Sequence, residues 1–349
     1  MEEEIAKKYA LKIKKLPQSQ LEIAVAIPTE EFDAARAEAI RHIGADVEFP
    51  GFRKGHVPES ILVTKVGETA ILEEMAEIAI SRVYPEIIRA EKLDVLGRPD
   101  VRITKIARGN PLEFTLTTAV FPEFTLPDYK KIAGKTARTT DDVLVSDDEV
   151  EKAVEQIRSM RAKNETAPSD EKMSAPPPPL DDAYVKTLGD FAGVEDFKVK
   201  LRENMQREKE RAAKDKRRVA IIDAVLAKTM IELPEVIVLQ ELLRMKDEFA
   251  HDVKQMGLSM ADYLKAIKKT EEEMEKEWRP TAEKRAKTQL VVGKIAESEH
   301  LGPDEETVKK EVAALKRRYP DAPDDRALGY VHMLLTNEKV FELLESQEA

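Results

Sequence analysis

The spacing of apolar positions along this chain changes twice. Tyr9, Leu11 and Ile13 alternate with polar or small residues, and so do Leu21, Ile23, Val25 and Ile27. A period of two puts one set of side chains on one face of a pleated strand. Both segments are therefore expected to be half-buried strands, joined by a turn near Pro17. The period then lengthens. Phe32, Ala35, Ala39 and Ile43 recur every three or four residues behind Pro28-Thr29, which predicts a helix. A short helix with Ile61, Leu62 and Val66 should follow, then a longer one with Ile71, Met75, Ile78 and Val83, the two separated by Gly67. Pro85 is expected to kink the longer helix or end its first part. Alternation returns at 101–106 and at 112–120, where Leu112, Phe114, Leu116, Thr118 and Val120 share a face.

Strands, then helices, then strands, without regular βαβ alternation, argue for an α+β domain in which helices cover one side of an antiparallel sheet. The pattern past residue 122 is different. Ser146 with Glu149 forms a capping box that opens a helix reaching about Arg161. Residues 162–179 are mostly polar and end in four prolines, which favours an extended polyproline II spacer over a ligand for a proline-binding domain. From Leu180 onward the pattern is helical almost throughout. Val194, Phe197, Leu201 and Met205 form one stripe, residues 206–218 are nearly all charged, and the stripe resumes at Val219, Ile222, Leu226 and Met230. That pattern predicts one long helix crossing solvent between two packing sites. Leu242, Met245, Phe249, Val253 and Met256 mark the next helix, which Gly257 ends. Ser259 with Asp262, and Thr270 with Glu273, cap two more. The expected class is α+β: an N-terminal antiparallel sheet with covering helices and a protruding loop, followed by an extended all-α C-terminal domain with helical arms.

The protruding loop is Gly51-Phe52-Arg53-Lys54-Gly55-His56-Val57-Pro58. Glycines permit tight backbone angles, and Pro58 fixes φ and suits the first position of the helix after it. The loop presents an aromatic ring beside two adjacent cations. Arg53 can pair in forked geometry with phosphate or carboxylate, Lys54 adds a point charge, and Phe52 supplies an apolar anchor. Gly, Pro and Lys are also ordinary turn residues, and a ring such as Phe52 can fold back on the core.

Charge narrows the partners. The net charge is −11, but residues 1–140 carry 21 Lys and Arg against 22 Asp and Glu, so the excess lies in the remainder. A non-specific RNA binder is usually basic throughout; here only a local basic loop near the N-terminal part suits RNA. There is no cysteine, hence no disulfide and no thiolate site. The acidic start, Met1-Glu2-Glu3-Glu4, has no signal-like apolar core, and no apolar run approaches membrane-spanning length, so a cytoplasmic protein is expected.

Candidate chemistry is sparse. His42, His56, His251, His300 and His332 are scattered without ligand spacing, and no glycine-rich phosphate loop occurs, so no metal or nucleotide cofactor is expected. The abundant carboxylates lie at helical spacing to Lys and Arg, the pattern of a solvated face. Nine of the eleven methionines fall from Met160 onward. Most are expected in helix cores. Met205, Met256 and Met260 are the candidates for a soft, adaptable surface that binds varied apolar shapes.

The order Gly-Phe-Arg-Lys-Gly-x-x-Pro resembles the ribosome-docking signature of the trigger factor family of bacterial ribosome-associated chaperones. The likeness extends to the stretch 112–129 with its Leu-Pro-Asp-Tyr exit, to Leu188-Gly189-Asp190-Phe191, to Leu201-Arg202-Glu203-Asn204 and to Glu232-Leu233-Pro234-Glu235. The resemblance implies docking on the large ribosomal subunit, against a tunnel-exit protein and nearby rRNA. Phe52, Arg53 and Lys54 would carry the contact, and Gly51, Gly55 and Pro58 would shape the loop. It also implies nascent and unfolded polypeptides as clients and no membrane partner, and leaves open whether the free protein forms a homodimer off the ribosome. Implied domains are 1–122, a ribosome-binding α+β domain; 123–179, a connector; and 180–349, a helical substrate-binding domain. The family usually inserts a prolyl isomerase where this chain has only residues 162–179, too few for an independent core. The isomerase activity is therefore not expected. The expected function is ATP-independent holding of nascent chains; the alternatives are a prolyl isomerase and a ribosome-independent holdase.

Overall fold

The computed structural model describes residues 2–46, 58–136, 143–165 and 178–347. In chain order the elements are α1 (Glu2–Lys8), β1 (Lys12–Leu16), β2 (Gln20–Ile27), α2 (Thr29–Ala34), α3 (Arg36–Asp46), α4 (Glu59–Val66), α5 (Glu68–Ala90), β3 (Val95–Lys105) and β4 (Leu112–Val120). Then come α6 (Tyr129–Lys135), α7 (Asp147–Glu165), α8 (Asp182–Lys186), α9 (Val194–Leu226), α10 (Glu235–Gln255), α11 (Met260–Ile267), α12 (Glu271–Ser298), α13 (Glu305–Arg318) and α14 (Asp324–Glu345). This is the α+β sheet followed by a helical remainder. Packing gathers the chain into two units, one of residues 1–125 and 230–290, the other of residues 126–229 and 291–349.

In the first unit four antiparallel strands pair in the order β1-β2-β4-β3. The register sets Ile23 opposite Leu116, Val25 opposite Phe114 and Ile27 opposite Leu112. Directly opposed residues share a face, so these side chains form one apolar surface. Phe32 of α2 and Ile71, Met75, Ile78, Val83 and Ile87 of α5 seal it. Burial of this kind is worth about 25 cal/mol per Å² of apolar surface and is the main force holding sheet to helices. The edge strands escape full cover: Ile13, Val101 and Ile103 lie on the core-facing side yet stay partly in water.

Three expectations change here, and one of the two alternatives at Pro85 is excluded. Tyr9 is not in a strand. It follows α1, its N–H bonds to the Ile5 carbonyl, and Ala10 turns the chain through φ +47°. The buried Tyr9 hydroxyl accepts from Lys8 Nζ at 2.7 Å and lies 3.0 and 3.1 Å from the Glu31 and Glu86 carboxylates. These polar partners lie in the helical layer and draw the residue out of the alternation. The helix expected from Thr29 is broken at Ala35, whose N–H bonds to the Phe32 carbonyl in a tighter turn. Pro85 does not end α5, which runs on to Ala90, because Val83 and Ile87 are both buried and packing holds the helix on each side. β3 starts six residues before the expected 101. Its alternation is masked by Gly97 at φ +73°, by Pro99, and by register shifts between Leu96 and Asp100 and between Ile103 and Lys105.

The same unit contains α10, α11 and the first part of α12. The β1–β2 turn, with Gln18 and Ser19 at positive φ, is fastened to the segment leading into α10. Ser19 Oγ donates to the Glu232 carbonyl at 2.9 Å, and the Gln18 N–H donates to the Glu232 carboxylate at 3.1 Å. Phe249 of α10 meets Tyr263 of α11 and Trp278 of α12 edge to face, at centroid distances of 5.1 and 5.2 Å. Thr270 and Glu273 form the expected reciprocal cap at the start of α12.

In the second unit α7, α8 and α9 share a core of Val150, Val154, Val185 and Phe197. The capping box at α7 forms as the sequence predicts: the Ser146 N–H donates to Glu149 at 2.9 Å, and the Glu149 N–H donates to Ser146 Oγ at 3.3 Å. The charged middle of α9 is not wholly solvated. Lys209 reaches Glu149 at 2.7 Å, and Arg218 is held among carboxylates of α14. Opposite charges brought together by folding cannot be read from one helix alone.

Candidate docking and client-binding sites

Of the expected docking residues, Gly51, Phe52, Arg53, Lys54 and Gly55 lie outside the described residues. Pro58 is described and exposed. It stands one position before its expected place, as the N-cap of α4 rather than its first residue, with φ −58° and ψ 141°. The segment containing the signature therefore leaves from the end of α3 and returns at the start of α4.

An ionic clasp ties these helices together. Arg36, the first residue of α3, donates through Nε to Glu59 of α4 at 2.8 Å. Its two terminal nitrogens donate to both oxygens of Glu68, the first residue of α5, at 2.6 and 2.9 Å. The forked hydrogen bond from Arg36 holds the Glu68 carboxyl below the usual carboxylate range. Both carboxylates also sit in first turns of helices, where the helix dipole favours negative charge. Farther along α3, His42 lies 2.9 Å from Glu74, and Arg82 donates to Glu38, so α3 is pinned to α5 along its length. The clasp joins positions 23 and 32 residues apart, and no local sequence signal announces it.

The three client-binding candidates separate. Met205 is half-buried against the α7–α9 core. Met260 is half-buried and lines a narrow crevice with Leu264, Met274 and Trp278. Only Met256 stands in water, 65% exposed, at the end of α10. The structure leaves further apolar groups in water, among them Met230, which periodicity placed on the resumed stripe. Met230 is 93% exposed. Leu239 and Leu243 are exposed on α10, and Leu328, Tyr330 and Leu334 on α14. Leu239 and Leu243 sit four residues apart and beside the stripe through Leu242, Met245 and Phe249. That surplus of apolar positions on one helix was the signal available. Among the described residues no cluster of His, Cys, Asp or Glu is arranged to hold a metal ion, and no helix is long and apolar enough to cross a membrane.

These features define a class: an α+β sheet module joined to long helices that leave apolar side chains in water. The match to known proteins is more specific. The family model described as bacterial trigger factor protein covers residues 9–157, and the one described as its C-terminus covers residues 193–345. The chain belongs to the trigger factor family, a family of ribosome-associated chaperones. It is similar to the trigger factor of Moorella thermoacetica, with 25% identity over 390 aligned positions spanning 89% of this chain and 87% of the other. It is likewise similar to that of Staphylococcus carnosus, at 23% identity, 93% of this chain and 92% of the other. A solved structure from work on promiscuous substrate recognition in folding and assembly by the trigger factor chaperone superposes with a TM-score of 0.55 at 16% identity. It covers 97% of this chain and 100% of that one, and supports the fold.

Neither matched model is a catalytic domain. The alignment to the M. thermoacetica protein is longer than the 349 residues of this chain, so at least 41 of its 390 positions (390 less 349) have no counterpart here.

Proposed function

We propose that this chaperone docks at the ribosomal tunnel exit through Phe52, Arg53 and Lys54, shaped by Gly51, Gly55 and Pro58. The contacts would be a tunnel-exit protein and nearby rRNA of the large subunit, in the cytoplasm. One observation carries this reading: the Arg36–Glu59–Glu68 clasp fixes the start of α4, the helix to which the signature segment returns, against the starts of α3 and α5. A segment with a fixed end loses less conformational entropy on docking than a free one. The domain boundaries at 122 and 179 stand as part of the same reading.

Clients are held without ATP by burial of exposed apolar side chains, Met256, Leu239 and Leu243 among them, with Met205 and Met260 contributing where their packing opens. Contacts of this kind are weak singly, so folding of the client competes for them. Residues 162–179 replace a prolyl-isomerase module, and no isomerisation is expected.

Ribosome cosedimentation tests the docking. Phe52→Ala, Arg53→Ala and Lys54→Ala together should abolish pelleting while leaving suppression of aggregation of an unfolded client intact. Loss of both activities, or of neither, overturns the division of labour. A protease-coupled proline-peptide assay that registers catalysis overturns the absence of isomerase activity.

A further inference from the structure

The second unit contains a cavity of about 490 Å³ between α6 and the end of α9. Its size falls in the range of small-ligand sites, roughly 300–1,000 Å³. Ile132 and Ala224 contribute apolar wall, and Lys131, Lys135 and Lys228 stand around it. Asp128 also lines it, but its carboxylate is occupied in capping α6, accepting from the Lys131 N–H at 3.1 Å. The adjacent Lys130 is different: it pairs with Glu299 at 2.7 Å. Lys131, Lys135 and Lys228 have no carboxylate partner among the described residues. Three lysines without a carboxylate partner among the described residues thus stand around one partly apolar cavity, in a chain of net charge −11.

We propose that this cavity binds an acidic stretch of an unfolded polypeptide, with a carboxylate among the three lysines and an apolar neighbour against Ile132 and Ala224. The proposal rests on the reading of the chain as a holder of unfolded polypeptides and adds a preference to it. Exposed apolar residues elsewhere select for hydrophobicity alone. The cavity selects for negative charge next to an apolar residue. Its concave form suits a single side chain better than a nucleic-acid backbone, which needs a continuous basic track.

The test is fluorescence anisotropy with the full chain and two labelled peptides, one alternating Leu and Glu and the other alternating Leu and Gln. The Leu/Glu peptide should bind about tenfold tighter at low salt, as expected for a few partly screened ion pairs, and the difference should shrink as salt is added. The combined substitution of Lys131→Gln, Lys135→Gln and Lys228→Gln should remove the difference, with unchanged helicity and unchanged binding of the Leu/Gln peptide. Equal affinities in the wild type, or a preference that survives the substitutions, overturn the site. Displacement of the Leu/Glu peptide by a short single-stranded oligonucleotide at equal charge also overturns it and reassigns the cavity to nucleic acid. Failure of both peptides to bind counts instead against polypeptide holding as a whole.

Discussion

Arg218 of α9 grips Glu338 of α14 with two nitrogens, at 2.8 and 2.5 Å, 120 residues apart in the chain. The same guanidinium donates to Glu345 at 2.7 Å and stacks over the Phe341 ring at 5.0 Å. Lys214 adds a second cation near both carboxylates, and Arg217 donates to the Glu345 carbonyl at 3.1 Å. The last helix is thus held by forked, partly desolvated ion pairs as well as by Val340 and Leu344 in the core. Fully buried pairs cost about 3–5 kcal/mol to break from one side, and exposed ones about 0–1. Arg218→Ala should therefore cost about 2 kcal/mol, read as lost amide protection across α14 in hydrogen exchange. Arg218→Lys should recover little of it, because a point charge cannot replace the fork.

Glu149 gives a pH dependence of defined sign. The Lys209 ammonium first, and the Ser146 N–H second, push its carboxyl down to about 2. A group whose folded pKa is depressed stabilises the fold above its ordinary value, and that stabilisation is lost as pH falls. The window runs from the ordinary value of 4.5 down to about 2. Amide protection of the first turn of α7 should weaken through that window in the wild type. In Glu149→Gln it should already be weak at neutral pH and change less on acidification.

The clasp that holds α4, where the signature segment returns, can be broken without touching the signature. Arg36→Ala leaves Glu59 and Glu68 without their shared cation. It should weaken ribosome pelleting by about tenfold through loss of a fixed loop base, which corresponds to about 1.4 kcal/mol of pre-organisation. Client holding, which uses other surfaces, should not change.

Trp278 is the chain's only tryptophan and reports on the α10–α12 packing. Phe249→Ala removes its edge-to-face neighbour. Emission should shift to longer wavelength as water reaches the indole. The local loss should be about 2 kcal/mol, below the roughly 3–5 of a fully buried Phe, because Phe249 is only half-buried.

The sequence was readable wherever the deciding interaction was local. Ser146 and Glu149 are three residues apart, and their reciprocal cap formed as the spacing requires. The alternation of 21–27 and 112–120 gave the buried face of the sheet, since a period of two leaves no other choice of side. Tyr9 departs from the alternation for the opposite reason. Its hydroxyl answers to Glu31 and Glu86, 22 and 77 residues away, and that pull outweighs the local alternation. Residue type alone marks Met205 and Met260 as surface candidates, yet their exposure is set by neighbours on other helices.

By itself, then, the sequence determined the element types, the caps, the apolar faces and the family, because each depends on residues within a turn or two of one another or on a contiguous motif. Only the tertiary structure decided which cations are spent on carboxylates and which stand free, and which methionines meet water. Those depend on distances between segments remote in the chain, such as α9 and α14, and such distances exist only once the chain has folded.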